Sequence, residues 1–143
     1  QIAASVLEAL GYVGVAAFEF FEVGGHLLLN EIAPRVHNSG HWTIEGAATS
    51  QFENHLRAVT GLPLGSTDPL GCSVLCNLLG SAPDPSRLLA IPDVHLHLYG
   101  KAPRPGRKIG HVTARAASPD VLRERLRAIE QVIGDPTQAG SDA

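Results

Sequence analysis

The chain has 143 residues, a net charge of −3, 44% apolar residues and 17% charged residues. This balance is too apolar and too weakly charged for a disordered chain, and the acidic net charge argues against a general nucleic-acid binder. No apolar run approaches the ~18 residues a membrane helix needs, and Gly (15) and Pro (10) follow no collagen period. With no signal-peptide pattern, a cytoplasmic setting is expected. The chain has no Met and opens directly in a helical pattern, so it reads as a piece of a longer protein.

Ile2, Val6, Leu7 and Leu10 recur at helical spacing, and Gly11 stands where such a helix should end, so residues 1–10 read as a helix. Residues 12–21 (YVGVAAFEFF) read as a strand, Val23-Gly24-Gly25 as a turn and 26–33 (HLLLNEIA) as the return strand of a hairpin. Pro34 stops regular pairing. Residues 35–48 show neither period and read as a long loop, which the single Trp42 marks as ordered. Ser50 and Glu53 form a capping box for a helix with Phe52, Leu56 and Val59 as its apolar stripe, closed by Gly61 and Pro63.

The Gly- and Pro-rich stretch 62–71 separates two expected domains, 1–66 and 67–143. Beyond it, 72–80, 94–100 and 108–116 read as strands, with turns at Asp84-Pro85 and Pro103-Arg104-Pro105-Gly106. Ser118 caps a last helix with Leu122, Leu126, Ile129 and Ile133 inward and Arg123, Arg125 and Arg127 toward water. Gly134 and Pro136 end it, and the tail 135–143 is expected to fray. Cys72 and Cys76 would lie about 13 Å apart on a strand, too far to bridge, and read as two buried thiols. The fold class is α+β: a hairpin-containing sheet with helices, then a small β-rich domain closed by a helix.

Charge is uneven. Residues 1–34 carry Glu8, Glu19, Glu22 and Glu31 without a Lys or Arg, whereas 94–119 carry Lys101, Arg104, Arg107, Lys108 and Arg115 without an acid. Such a division suits a ligand with a cation at one end and an anion at the other. Glu19 and Glu31 are lone carboxylates in otherwise apolar rows. If an odd loop such as Gly24-Gly25-His26 connects the strands, they pair directly with Cβ atoms ~5 Å apart. A divalent cation would relieve their repulsion, and Mg²⁺ prefers one or two carboxylates plus phosphate oxygens. A two-residue Gly-Gly turn would instead put the glutamates on opposite faces, as plain sheet-edge acids. Asn30 should point away from Glu31. Arg35, His37, Asn38, Ser39 and His41 follow as donors for a small anion, Arg35 being the first basic side chain in the chain. Lys101, Arg104, Arg107 and Lys108 sit on a loop stiffened by prolines and suit a phosphate monoester, or form a solvated basic loop. His95 and His97 alternate on one strand and lack a third ligand, so they read as packing or hydrogen-bonding residues.

Phe18-Glu19-Phe20 with Asn30-Glu31-Ile32-Ala33-Pro34-Arg35-Val36-His37-Asn38-Ser39-Gly40-His41-Trp42 resembles the ATP-grasp family of N5-carboxyaminoimidazole ribonucleotide synthases. So do Ser50-Gln51-Phe52-Glu53, and His95-Leu96-His97 through Arg104-Pro105-Gly106-Arg107-Lys108-Ile109-Gly110-His111. The resemblance covers about residues 10–115 and implies the C-terminal part of an ATP-grasp domain followed by a small C-terminal domain. It implies a ligase of purine biosynthesis that uses ATP, Mg²⁺ and bicarbonate to carboxylate 5-aminoimidazole ribonucleotide through carboxyphosphate. Glu19 and Glu31 would then hold metal, and Asn30 and Glu31 would close the nucleotide site. Arg35, His37 and Asn38 would orient bicarbonate, and Lys101, Arg104, Arg107 and Lys108 would hold the ribonucleotide phosphate. The longer enzyme is expected to be a homodimer with no nucleic-acid or membrane partner. The family's glycine-rich loop and ATP-grasp lysines fall outside this chain, so the isolated chain is expected to be inactive. Another ATP-grasp ligase, or a non-catalytic structural module, is the alternative.

Overall fold

The computed structural model describes residues 2–134, and the expectations for Pro136 and the tail 135–143 lie outside the described residues. The fold is α+β and divides into two compact units, Gln1–Asp68 and Pro69–Ala143.

The first unit contains α1 (Ile2–Ala9), β1 (Ala17–Val23), β2 (His26–Ala33), a 3₁₀ turn (Asn38–Gly40), α2 (Thr43–Gly46) and α3 (Gln51–Val59). Helix α1 ends as the sequence predicts: Gly11 adopts φ +58°, Gly11 N–H donates to the Glu8 carbonyl and Tyr12 N–H to the Leu7 carbonyl. The strand expected from residue 12 starts at Ala17 instead. Residues 12–16 are tied elsewhere: Tyr12 Oη donates to the Val15 carbonyl, and Val15 N–H donates to His55 Nδ1. Two short helical turns, too short to show a period, occupy the stretch read as a loop.

Helix α3 is capped by Ser50, whose Oγ accepts from Glu53 N–H, but the capping box is half made because Glu53 pairs with Arg57. Its expected apolar stripe is not its buried face. Leu56 and Val59 are exposed, and Asn54 is the buried residue. Asn54 Oδ1 accepts from Gly65 N–H at 2.9 Å and its Nδ2 donates to the Gly65 carbonyl at 3.2 Å, which pins the segment after the helix.

The second unit is a three-stranded antiparallel sheet of β3 (Cys72–Leu79), β4 (Val94–Leu98) and β5 (Lys108–Ala116) in the order β3-β5-β4, with α4 (Pro85–Leu89) and α5 (Pro119–Ile133). Its core joins Leu78, Leu88, Val94, Ile109, Val112, Ala114, Ile129 and Val132. Asp84-Pro85, read as a turn, starts α4: Asp84 Oδ1 accepts from Ser86 N–H, and Leu88 reaches the core. In α5 the inward residue of the last turn is Val132 and not Ile133, which is exposed. Arg125 does not face water either. Its guanidinium pairs with Asp93 at 2.9 Å and donates to the Arg115 carbonyl. Cys72 and Cys76 are free and only half-buried, and burial raises the Cys76 thiol pKa, with the Glu130 carboxylate adding to it. Ile129 is fully buried. Ile129→Ala should therefore cost ~2–5 kcal/mol, read as a lower urea midpoint at unchanged slope. A midpoint equal to that of the unsubstituted protein would show that this core does not limit stability.

Candidate functional site

Hairpin geometry decides the first cluster. The connection is the two-residue turn Gly24-Gly25, with Val23 opposite His26 and both glycines at positive φ (+57° and +79°). It is not the three-residue loop that direct pairing seemed to need. An unbroken ladder from that turn would put Glu19 opposite Asn30, with the two glutamates on opposite faces. The register shifts between Glu19 and Phe20, however: Phe20 faces Leu29, and Glu19 faces Glu31. Asn30 is the extra residue of a β-bulge, and the two carboxylates stand directly across the ladder.

The bulge takes Asn30 out of direct pairing with Glu19 but not out of reach: Asn30 Nδ2 donates to Glu19 Oε2 at 3.3 Å. His37 supplies a second donor, its Nε2 lying 3.2 Å from Glu19 Oε1. Ser39 N–H donates to His37 Nδ1, and Ser39 Oγ lies 2.9 Å from the same nitrogen. An accepting Nδ1 leaves the ring proton on Nε2, facing the carboxylate. Both Glu19 oxygens are thus oriented by side-chain contacts, with Glu31 directly across the ladder.

The loop that follows supplies the remaining predicted groups. Arg35 is exposed and its Nη1 donates to the Val36 carbonyl at 3.0 Å. Asn38 Oδ1 is buried without a hydrogen-bond partner among the described residues. No group of three or more His, Cys, Asp or Glu gathers for a metal among the described residues. The donor set is still one that suits Mg²⁺, which takes few carboxylates and completes its shell with water and phosphate oxygens.

The second cluster lies in the second unit. Arg107 N–H donates to the Arg104 carbonyl at 2.9 Å, with Pro105 and Gly106 (φ +70°) between them. This is the proline–glycine pattern of a type II turn. The turn is stitched to the end of β3, where Gly80 N–H donates to the Arg107 carbonyl and the Gly80 carbonyl accepts from Arg104 N–H. Leu79, Gly80, Ser81, Pro103, Arg104 and Pro105 line an open cleft of about 320 Å³. Lys101 Nζ sits over the Tyr99 ring at 5.4 Å. The pKa of Lys108 is lowered, by burial first and then by the charge of Lys101. Lys101, Arg104, Arg107 and Lys108 are thus carried on one short segment. On the neighbouring strands His97 stacks on His111 at 4.5 Å, and Tyr99 Oη lies 2.7 Å from His111 Nδ1. His97 is therefore engaged in packing, as its spacing suggested.

Residues 1–52 match the family model of the ATP-grasp domain, and residues 73–125 match that of the phosphoribosylaminoimidazole carboxylase C-terminal domain. The N5-carboxyaminoimidazole ribonucleotide synthase of Pseudomonas aeruginosa is 60% identical over 128 residues, covering 90% of this chain and 36% of that protein. The crystal structure of the synthetase from Thermus thermophilus matches with a TM-score of 0.86 at 59% identity, over 93% of this chain and 37% of the other. The Aspergillus clavatus synthase, solved with ADP and 5-aminoimidazole ribonucleotide, matches with a TM-score of 0.73 at 41% identity, over 83% of this chain and 35% of the other. The chain thus spans about 36% of the length of the first of these relatives.

Proposed function

We propose, from the premise that this chain belongs to the N5-carboxyaminoimidazole ribonucleotide synthases of the ATP-grasp type, that it supplies two parts of an ATP-dependent carboxylase. The first is the acidic pair at the nucleotide phosphates. The second is the basic loop for the phosphate of 5-aminoimidazole ribonucleotide. The observation that carries the reading is the bulge at Asn30, which sets Glu19 opposite Glu31 where the turn alone would separate them. A bulge that re-aims side chains in this way is common beside active sites.

Glu19 and Glu31 would hold Mg²⁺, with the Asn30 amide completing the nucleotide side. When bound there, Mg²⁺ would supply charge neutralisation at the nucleotide phosphates. Asn30 and His37 keep the Glu19 carboxylate from turning away. Arg35 would meet the anionic oxygens of bicarbonate, and Asn38 Oδ1, an acceptor, would take its O–H. Lys101, Arg104, Arg107 and Lys108 would hold the ribonucleotide. The family reading carries a cytoplasmic homodimer with it for the longer enzyme.

The 143-residue chain by itself is expected to release no ADP in the presence of ATP, Mg²⁺, bicarbonate and 5-aminoimidazole ribonucleotide, because it spans only part of its relatives' length. A coupled ADP assay checks this. ADP release dependent on both bicarbonate and ribonucleotide would overturn the division of labour proposed here.

A further inference from the structure

Gln51 opens α3, and none of the roles above uses it. Its carboxamide reaches the loop that bears His37. Oε1 accepts from His37 N–H at 3.0 Å, and Nε2 donates to the His37 carbonyl at 2.7 Å and contacts His41 Nδ1 at 2.8 Å. A peptide N–H only donates and a carbonyl only accepts, so these two bonds permit one orientation of the amide. Gln51 is itself held, since its own N–H donates to Thr43 Oγ1 at 2.9 Å and that hydroxyl donates to the Gly40 carbonyl at 2.6 Å. A Cβ on Gly40 would stand 2.5 Å from Gln51 Oε1, so the loop can approach the amide this closely only with glycine there.

One side chain therefore grips both polar groups of the His37 peptide backbone, and through them sets where the His37 ring stands. That ring carries the donor on Glu19 Oε1. We propose that Gln51 is a positioning residue: it holds His37 so that Nε2–H orients the Glu19 carboxylate across from Glu31. The geometric part stands on the hydrogen bonds alone, whereas its catalytic consequence rests on the metal role proposed for Glu19.

Gln51→Met keeps the length and volume of the side chain and removes its hydrogen bonds. Gly40→Ala pushes the amide away while leaving Gln51 in the sequence, and serves if the first variant does not fold. The direct measurement is proton NMR of the His37 Hε2, which is visible and slow to exchange only while an acceptor holds it. Its loss in either folded variant is expected, and its survival in both would overturn the proposal. In the full-length enzyme carrying this sequence, Gln51→Met should lower kcat roughly 10- to 100-fold, the usual cost of losing a group that orients a metal-binding side chain. The KM for the ribonucleotide should not move. A proportional loss in every kinetic constant would mark a merely structural role and overturn it. Should Glu19→Gln leave turnover unchanged, the metal reading fails, and the Hε2 resonance still decides whether Gln51 positions His37.

Discussion

In the full-length enzyme that carries this sequence, Glu31→Gln is expected to lower turnover about a hundredfold or more, since each ~1.4 kcal/mol of lost transition-state stabilisation is a factor of ten. The substitution preserves shape and removes only the charge. It leaves Asn30 and His37 in place, because both contact the Glu19 carboxylate. The loss should therefore fall on kcat at saturating ATP and Mg²⁺, with the fold intact. Glu19→Gln should be as damaging for a second reason. Its new amide would present N–H groups to the Asn30 and His37 donors, so the carboxamide could not satisfy both. Steady-state kinetics against Mg²⁺ concentration separate the cases. Turnover unchanged in Glu31→Gln would leave the paired carboxylates as ordinary sheet residues and end the metal assignment.

The second large effect is expected at the basic loop. Arg107→Ala or Lys108→Ala should raise the ribonucleotide KM ten- to a hundredfold with little change for ATP, as losing one charge-assisted contact costs roughly 1.5–3 kcal/mol. The loop is preorganised by its turn and by the Gly80 bonds, so little ordering is left for the ligand to drive. The pKa of Lys108 lies below the ordinary lysine range through burial and the neighbouring Lys101 charge, and a bound phosphate raises it again. The sign follows: ribonucleotide binding is strongest below the lowered pKa of the free protein and fades as pH rises through the bound value. Lys101→Ala removes one source of the depression and should move the alkaline limb of the KM profile upward. A ribonucleotide KM that ignores both charge removals would make this a solvated loop.

Where a single residue type forces the backbone, the sequence alone was enough. Gly11 and Gly61 end helices, Ser50 and Ser118 begin them, and Gly24-Gly25 turns the hairpin. Strand β5 runs from Lys108 to Ala116 as its pattern predicts, because most of its residues are buried and apolar or small. Motif resemblance singles out the residues proposed for both clusters.

Three things were beyond local reading. The bulge at Asn30 breaks the period-two rule, and nothing in His26–Ala33 announces it. The carboxylate pairing was expected from a three-residue loop and arises instead from a two-residue turn plus one extra residue. Helix α3 engages its surroundings through Gln51, Asn54 and His55, spaced like one helical face but polar, while the apolar Leu56 and Val59 are exposed. The spacing of three uncharged polar residues at i, i+3 and i+4 was the available signal, but a hydrophobicity rule passes over it. Arg125 turned inward because Asp93 and the Arg115 carbonyl stood ready to accept from it. Backbone conformation is set largely by each residue's own sterics and its near neighbours, so the sequence by itself determined where helices, turns and strands fall. Register, and the partner each polar side chain finds, depend on groups distant in the chain, and these only the tertiary structure decided.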